Sequence, residues 1–371
     1  MQSIPLGTSS LTGSRLAYGC WRLASNKEDP QAGLRAVKAA YEAGYTLFDN
    51  ADIYGGGEAE KMLGAALKEI SGMRERVVIL TKSGVRHGGH PTPDTPTRWD
   101  FSAEHILRSC EQSLKRMGIE TIDVYMLHRP DFLADPQEIA EAFEKLRAAG
   151  KVRHFAVSNF RPSLVTALQS ACSMPLILHQ VEISLAKLDT FTDGTLDECL
   201  AERITPMAWS PLAGGLIGDG AKRLLKWQQS YQPDKFLADL EAIAKAHGVS
   251  RTVIAFAWLM KHPSKIIPIV GSINPERIRE ATKAAEVELS REEWYRLLNA
   301  ARGEPLPYME GGSSKFGDGK SAGAWRMFVA ISPPDAVKEE FEKMQHEMRE
   351  ELPGNFMRWT KRGQFHLTLK F

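Results

Sequence analysis

Short β-branched runs alternate with helix-period stretches from Arg15 to Glu286. "RLAYGCW" precedes a helical pattern ending at Gly44, "YTLFDNAD" precedes "EAEKMLGAALKEI", and "VVILTKS" is followed, after a long loop, by "SAEHILRSCEQSLKRMG". The same order recurs in "DVYMLHRP" with "PQEIAEAFEKLRAAG", "VRHFAVSNF" with "PSLVTALQSA", and "LILHQVEIS" with "GTLDECLAERI". "TPMAWSPL" with "KFLADLEAIAKAHG" and "KIIPIVGS" with "NPERIREATKAAE" complete eight strand-then-helix units. The strand runs are continuously apolar rather than alternating, the pattern of parallel strands covered on both faces. Ser102 is placed as an N-cap before "AEHIL", and Gly44, Gly118 and Gly150 stand where a helix end needs a left-handed residue. An open doubly wound sheet is the rival arrangement. Eight consecutive units without a G-x-G-x-x-G after the first strand favour closure, so the fold class expected is α/β, a (β/α)8 barrel. A hairpin in "IPLGTSSLTGSRLAYG", turning at Gly7 and Gly13, is expected to plug its bottom.

The pattern changes after Pro305. "EGGSSKFGDGKSAGA", Glu310 to Ala324, is nearly free of apolar residues and reads as a flexible linker. Beyond it "RMFVAIS", an amphipathic helix in "PDAVKEEFEKMQHEMREEL", and the runs "FMRWT" and "FHLTLKF" make a small β-α-β-β unit. The expected organisation is a barrel over residues 1–309, a linker over 310–324 and a small lobe over 325–371.

Composition narrows the class. Formal net charge is +1, from 47 basic and 46 acidic residues, so nothing marks a general nucleic-acid or membrane binder. Cys20, Cys110, Cys172 and Cys199 are scattered and form no C-x-x-C pair, which suits a reducing cytosol and no thiolate metal site. "MQSIPLGTSS" shows no signal-peptide pattern, and no apolar run approaches a membrane span, so a cytoplasmic protein is expected.

Barrel function sits at the C-terminal ends of the strands, and the polar residues there carry the candidate chemistry. Asp49 ends one strand with Tyr54 just beyond, Lys82 ends the next, and His128 another. Taken singly, a strand-end histidine is more often structural, a lysine can snorkel, and an aspartate can cap a helix. Together on neighbouring strands they suggest more. A buried lysine needs a carboxylate, which Asp49 supplies, and a tyrosine beside that lysine is expected to be acidified by the cation. Such a phenol can protonate a developing alkoxide, as carbonyl reduction requires.

"FDNADIYGGGEAE", the isolated lysine of "ILTKS", "HRPD", "GKVRHFAVSNF" and "PIVGSINPERIREA" together resemble the aldo-keto reductase family, with closest likeness to a bacterial oxidoreductase branch, over roughly Ile4 to Pro307. The resemblance implies NADPH-dependent reduction of an aldehyde or ketone, with Tyr54 as general acid, Lys82 tuning it, Asp49 holding Lys82 and His128 orienting the carbonyl. It implies further that Ser158, Asn159 and Gln180 hold the nicotinamide amide and that Trp209 stacks on its ring. Ser210, Pro211, Leu212 and Gly214 would line the pyrophosphate path. Gly271 and Ser272 would approach a phosphate, Arg277 would clamp the 2′-phosphate, and Glu280 would reach the adenine. Gly271 stands where many members have a lysine and Ala281 where they have an asparagine, which leaves NADH as a secondary cofactor. The loop from Gly84 to Glu104 is expected to bring Trp99 and Phe101 over the substrate, with Trp21 as a further wall. His87 and His90 in that loop read as ordinary loop histidines rather than metal ligands, because no third ligand stands at familiar spacing. A regulatory module that binds NADPH and turns over slowly is the alternative from another class.

"RMFVAISPPDAVKEEF" with "RWTKRGQFHLTLKF" resembles the first half of a 2H phosphoesterase domain, the family of RNA 2′-5′ ligases and cyclic phosphodiesterases. His366 and Thr368 match one H-x-T motif, and no second motif follows. One lobe offers an acid or a base but not both, so this unit is expected to be inactive alone. An RNA 2′,3′-cyclic phosphodiesterase activity would need a second lobe from elsewhere.

Overall fold

The structure is a computed structural model that describes residues 1–26, 28–29, 31–89, 92–218, 230–304, 306, 329–331, 333–351 and 367–369. Its chain divides into two compact units, Met1–Pro307 and Tyr308–Phe371.

The first unit begins with a hairpin of β1 (Ser3–Pro5) and β2 (Thr12–Ser14). β3 (Ala17–Gly19), α1 (Ala32–Glu42), β4 (Leu47–Asp49), α2 (Glu58–Glu69) and β5 (Val78–Ser83) follow. A ribbon of β6 (Val85–Arg86) and β7 (Arg98–Trp99) leads to α3 (Ala103–Met117), β8 (Ile122–Leu127) and α4 (Pro136–Ala148). Next come β9 (Val152–Ser158), α5 (Pro162–Ala171), β10 (Leu176–Glu182), α6 (Thr195–Ala201) and β11 (Thr205–Trp209). α7 (Leu237–His247), α8 (Arg251–Met260), β12 (Ile267–Val270), α9 (Pro275–Ala281) and α10 (Arg291–Arg302) complete it.

Eight strands close into a parallel barrel in the order β3, β4, β5, β8, β9, β10, β11, β12 and back to β3. Every residue of β5 and β8 is buried, as the continuous apolar runs require when helices cover the outside. Ser102 caps α3 by accepting a hydrogen bond from the His105 amide, and Gly118 ends that helix at φ +64°. The hairpin packs on the barrel interior, where Ile4 and Leu6 join Leu47, Leu80, Val124 and Met126. Gly7 turns it at φ +56°, and a Cβ there would stand 2.5 Å from the Ile177 carbonyl oxygen. Gly13 does not turn: it lies within β2, paired with Ile4.

Two helices go beyond the eight expected. α8 is buried along almost its whole length, so its sequence, "RTVIAFAWLM", shows no polar face to mark a period. α10 opens with a capping box between Ser290 and Glu293 and packs Trp294 on Trp258 of α8, ring centres 5.2 Å apart.

In the second unit β13 (Val329–Ile331) pairs antiparallel with β14 (Leu367–Leu369), and α11 (Asp335–Glu351) lies between them in sequence. Thr368 opposes Ala330 in that register. His366, the "FMRWT" strand and the 310–324 linker lie outside the described residues.

Candidate active site

Side chains alternate along a strand, so every second residue of each barrel strand points to the axis. Leu47, Leu80, Met126, Ala156, Leu178 and Met207 belong to the apolar interior. Two residues further along the chain stand Asp49, Lys82, Ser158, Gln180 and Trp209 on the same strands, and His128 just past the end of β8. The candidate site is thus the polar top layer of an apolar barrel core.

Lys82 is the centre of that layer, with no exposure of its side chain. A buried ammonium is costly unless its three donors are used. They are: Nζ lies 2.8 Å from Asp49 Oδ1, 2.7 Å from the Asn50 carbonyl oxygen and 3.2 Å from the Tyr54 hydroxyl. Asp49 Oδ1 also accepts from Gln180 Nε2 at 2.8 Å, tying in a strand from across the barrel. Tyr54 stands in a tight turn that Gly55, Gly56 and Gly57 form with positive φ. Burial works against the Lys82 charge, but Asp49 and Tyr54 outweigh it and hold its pKa above the ordinary lysine value.

The acidification expected for Tyr54 is reversed. Burial pushes the phenol above its ordinary value, Asp49 adds to the rise, and the lowering by Lys82 does not offset both. The phenol therefore keeps its proton across the neutral range. His128 meets the Tyr54 ring edge-on, centroids 5.9 Å apart. Burial, then the charges of Lys82 and Arg129, hold its pKa well below the usual histidine value, so the imidazole is neutral. Among the described residues its buried Nδ1 has no hydrogen-bond partner, which favours the tautomer carrying hydrogen on Nε2.

One cavity of about 1100 Å³ joins Asp49, Tyr54 and His128 to Ser158, Asn159, Gln180 and Trp209. Ser210, Pro211, Leu212, Gly214, Gly271, Ser272, Arg277 and Glu280 line it too. Asn159 and Ser210 take left-handed backbone at φ +61° and +48°, conformations rare for residues with a side chain and concentrated at functional sites. Asn159 is already engaged: Nδ2 donates to the His128 carbonyl and to Ser158 Oγ, while Oδ1 accepts from Trp209 Nε1 at 2.9 Å.

Trp21 and Trp99 line the same cavity, Trp21 with 56% of its surface exposed. Phe101 does not. It is buried in the core, its ring 6.1 Å from that of Phe160, in a space that Gly84 leaves open. A Cβ on Gly84 would stand 2.1 Å from the Phe101 ring. His87 lines the cavity, His90 lies outside the described residues, and among the described residues no group of three His, Cys, Asp or Glu could hold a metal ion. Likewise, no described helix is long and apolar enough to cross a membrane. Arg22, Arg129, Glu182, Lys187 and Tyr231 also line the cavity and were not anticipated. Arg22 and Arg129 stand next to residues singled out and Lys187 and Tyr231 lie in loops, whereas Glu182 ends β10 two residues after Gln180, where alternation could have found it. Arg22 Nη1 donates to the Gly271 carbonyl at 3.1 Å, and Glu182 accepts from the Tyr231 hydroxyl.

Known proteins resemble the chain over its barrel. A 6-dehydroglucose reductase of Novosphingobium aromaticivorans is 41% identical over 309 residues, spanning 81% of this chain and 96% of that protein. The uncharacterized oxidoreductase YcsN of Bacillus subtilis is 38% identical over 315 residues, 83% of this chain and all of that one. Among solved structures, the glycerol dehydrogenase AKR11B4 from Gluconobacter oxydans superposes with a TM-score of 0.72 at 26% identity, covering 84% of this chain and 99% of its own. The profile of the Aldo/keto reductase family matches residues 15–301, and the chain belongs to that family of oxidoreductases acting on carbonyl and alcohol substrates.

Proposed function

We propose that the barrel reduces an aldehyde or ketone to an alcohol with NADPH, and that Tyr54 supplies the proton. The observation that carries this reading is the continuous contact from Asp49 through Lys82 to Tyr54, with neutral His128 beside the phenol in one cavity. When bound, the nicotinamide supplies a hydride to the carbonyl carbon. The chain's own residues do the rest. His128 Nε2–H donates to the carbonyl oxygen and orients it, and the Tyr54 hydroxyl gives its proton to that oxygen as charge develops. The Lys82 ammonium, 3.2 Å away, stabilises the phenolate left behind, and Asp49 keeps Lys82 charged.

The residues present fit NADPH. Arg277 lines the cavity, and among the described residues its guanidinium has no hydrogen-bond or ion-pair partner, so it is free to take a 2′-phosphate bidentately. Ser158, Asn159 and Gln180 would hold the nicotinamide amide, which requires Asn159 to exchange a present bond for one to the ligand. Trp209 would stack on the ring, the stretch Ser210 to Gly214 with Gly271 and Ser272 would follow the phosphates, and Glu280 would meet the adenine. NADH is a secondary cofactor in this reading.

The test is loss of NADPH absorbance with a panel of aliphatic, aromatic and polyhydroxylated aldehydes, the last suggested by the 6-dehydroglucose reductase relative. Turnover is expected, with Arg277→Met raising KM for NADPH at least tenfold and leaving KM for NADH within threefold. Tight NADPH binding without turnover on any carbonyl would support the regulatory reading instead. For the second unit we propose one lobe of a 2H phosphoesterase, supported by the H-x-T sequence at His366 and Thr368. The whole chain should then leave a 2′,3′-cyclic phosphate intact, and hydrolysis lost in His366→Ala would show that the lobe acts without a second motif.

A further inference from the structure

The reduction makes no use of Arg129, a cation of the cavity. Arg129 follows His128 directly, lines the same space and is half-buried. Its guanidinium carbon lies 5.3 Å from the centre of the Trp209 ring. Among the described residues no acceptor hydrogen-bonds to it and no carboxylate stands within ion-pair distance. Three other partly buried arginines are satisfied: Arg116 by Glu60, Arg74 by Asp123 and Arg22 by the Gly271 carbonyl.

A guanidinium stays charged at any ordinary pH, and a desolvated charge without a partner is costly. Burial does lower the Arg129 pKa, with Glu182 and Tyr54 acting in the opposite sense from a distance. Glu182, one of the acids lining the same cavity and the one that acts on Arg129, is committed to the Tyr231 hydroxyl, and burial raises its pKa. The position of Arg129 beside His128 and on the face of Trp209 sets its five donors next to the place where a carbonyl oxygen would be held.

We propose that Arg129 is a specificity-determining residue that anchors an anionic oxygen group of the substrate, so that the preferred substrates are aldehydes or ketones carrying a carboxylate or phosphate a few carbon atoms from the reacting carbonyl. The anion supplies a counter-charge that no described residue places within ion-pair distance, and the planar fork matches a carboxylate in a way a lysine cannot. This inference rests on the reductase reading.

Matched pairs test it: butanal against succinic semialdehyde, benzaldehyde against 4-carboxybenzaldehyde, and glyceraldehyde against its 3-phosphate, in wild type, Arg129→Gln and Arg129→Lys. Wild type should favour the carboxylated or phosphorylated member at least tenfold in kcat/KM, and the pair with the larger preference identifies which anion is read. In Arg129→Gln the loss on the anionic member should exceed the loss on its neutral partner at least tenfold, chiefly through KM. Arg129→Lys should recover part of it, and added salt should shrink the preference. An equilibrium arm needs no turnover: by calorimetry, 4-carboxybenzyl alcohol should bind wild type at least tenfold more tightly than Arg129→Gln, and benzyl alcohol should not discriminate. Indifference of wild type to the anion, equal losses on both members of every pair, or a loss confined to neutral polyhydroxylated aldehydes would overturn the proposal. If no aldehyde is reduced yet the equilibrium arm holds, the reductase reading fails and the anion anchor stands.

Discussion

Replacing Asp49 by asparagine tests the electrostatics of the site with little change of shape. Lys82 loses the only carboxylate within ion-pair distance of it among the described residues, while its bonds to the Asn50 carbonyl and Tyr54 remain. At an effective dielectric of about 20, unit charges 2.8 Å apart attract by about 6 kcal/mol, part of which offsets desolvation. Breaking a buried pair by removing one partner typically costs about 3–5 kcal/mol. The cost has a ceiling, because Lys82 can release its proton. Starting from an ordinary value of 10.5, neutralisation at pH 7 costs about 5 kcal/mol. Asp49→Asn should therefore lose about 3–5 kcal/mol of unfolding free energy at pH 7, measured by urea denaturation of the whole chain. That loss should shrink as pH rises towards 10. Reductase kcat should fall about 100-fold, because the phenolate left by Tyr54 no longer faces a secured cation. Adding Lys82→Met should restore at least about 2 kcal/mol of stability without restoring activity. Unchanged stability and kcat in the single variant would refute the reasoning.

Because burial keeps the Tyr54 proton on and the His128 ring neutral, kcat for reduction should be flat from about pH 6 to 9 and fall only above it; a titration between 6 and 8 in a pH–rate profile would contradict this. His179 is fully buried, and burial lowers its pKa to about 4. As pH drops from 6.5 to 4 the unfolded chain takes up a proton that the folded one refuses, so stability falls by up to about 3 kcal/mol, and His179→Gln should flatten that slope in denaturation curves. Gly84→Ala should cost at least about 2 kcal/mol of stability, since φ is +110° there and the new methyl meets the Phe101 ring. A melting temperature equal to wild type would show that the core yields more easily than its packing implies.

The barrel was legible because eight apolar runs at regular spacing have few other ways to be covered; strand ends singled out Asp49, Lys82 and His128, and the family resemblance supplied the candidate cofactor residues. What failed to show has physical causes. α8 carries no polar face, so its residues give no period. Phe101 and Trp99 are aromatics two apart, and their order does not show that Phe101 packs in the core against Gly84 while Trp99 reaches the cavity. The sign of the Tyr54 shift depends on how deeply the phenol is buried and on its distance from Asp49, neither of which is written in the order of residues. Arg129 follows a residue that drew attention, and that no described carboxylate lies within ion-pair distance of it shows only once the surroundings are in place.

The most direct measurement is single-turnover reduction of a good aldehyde by Tyr54→Phe with bound NADPH, compared with wild type. Loss of the hydroxyl alone should slow the chemical step about 100- to 10,000-fold while the dissociation constant for NADPH stays within about twofold. A variant that reduces the aldehyde as fast as wild type would contradict the assignment of Tyr54 as the proton donor.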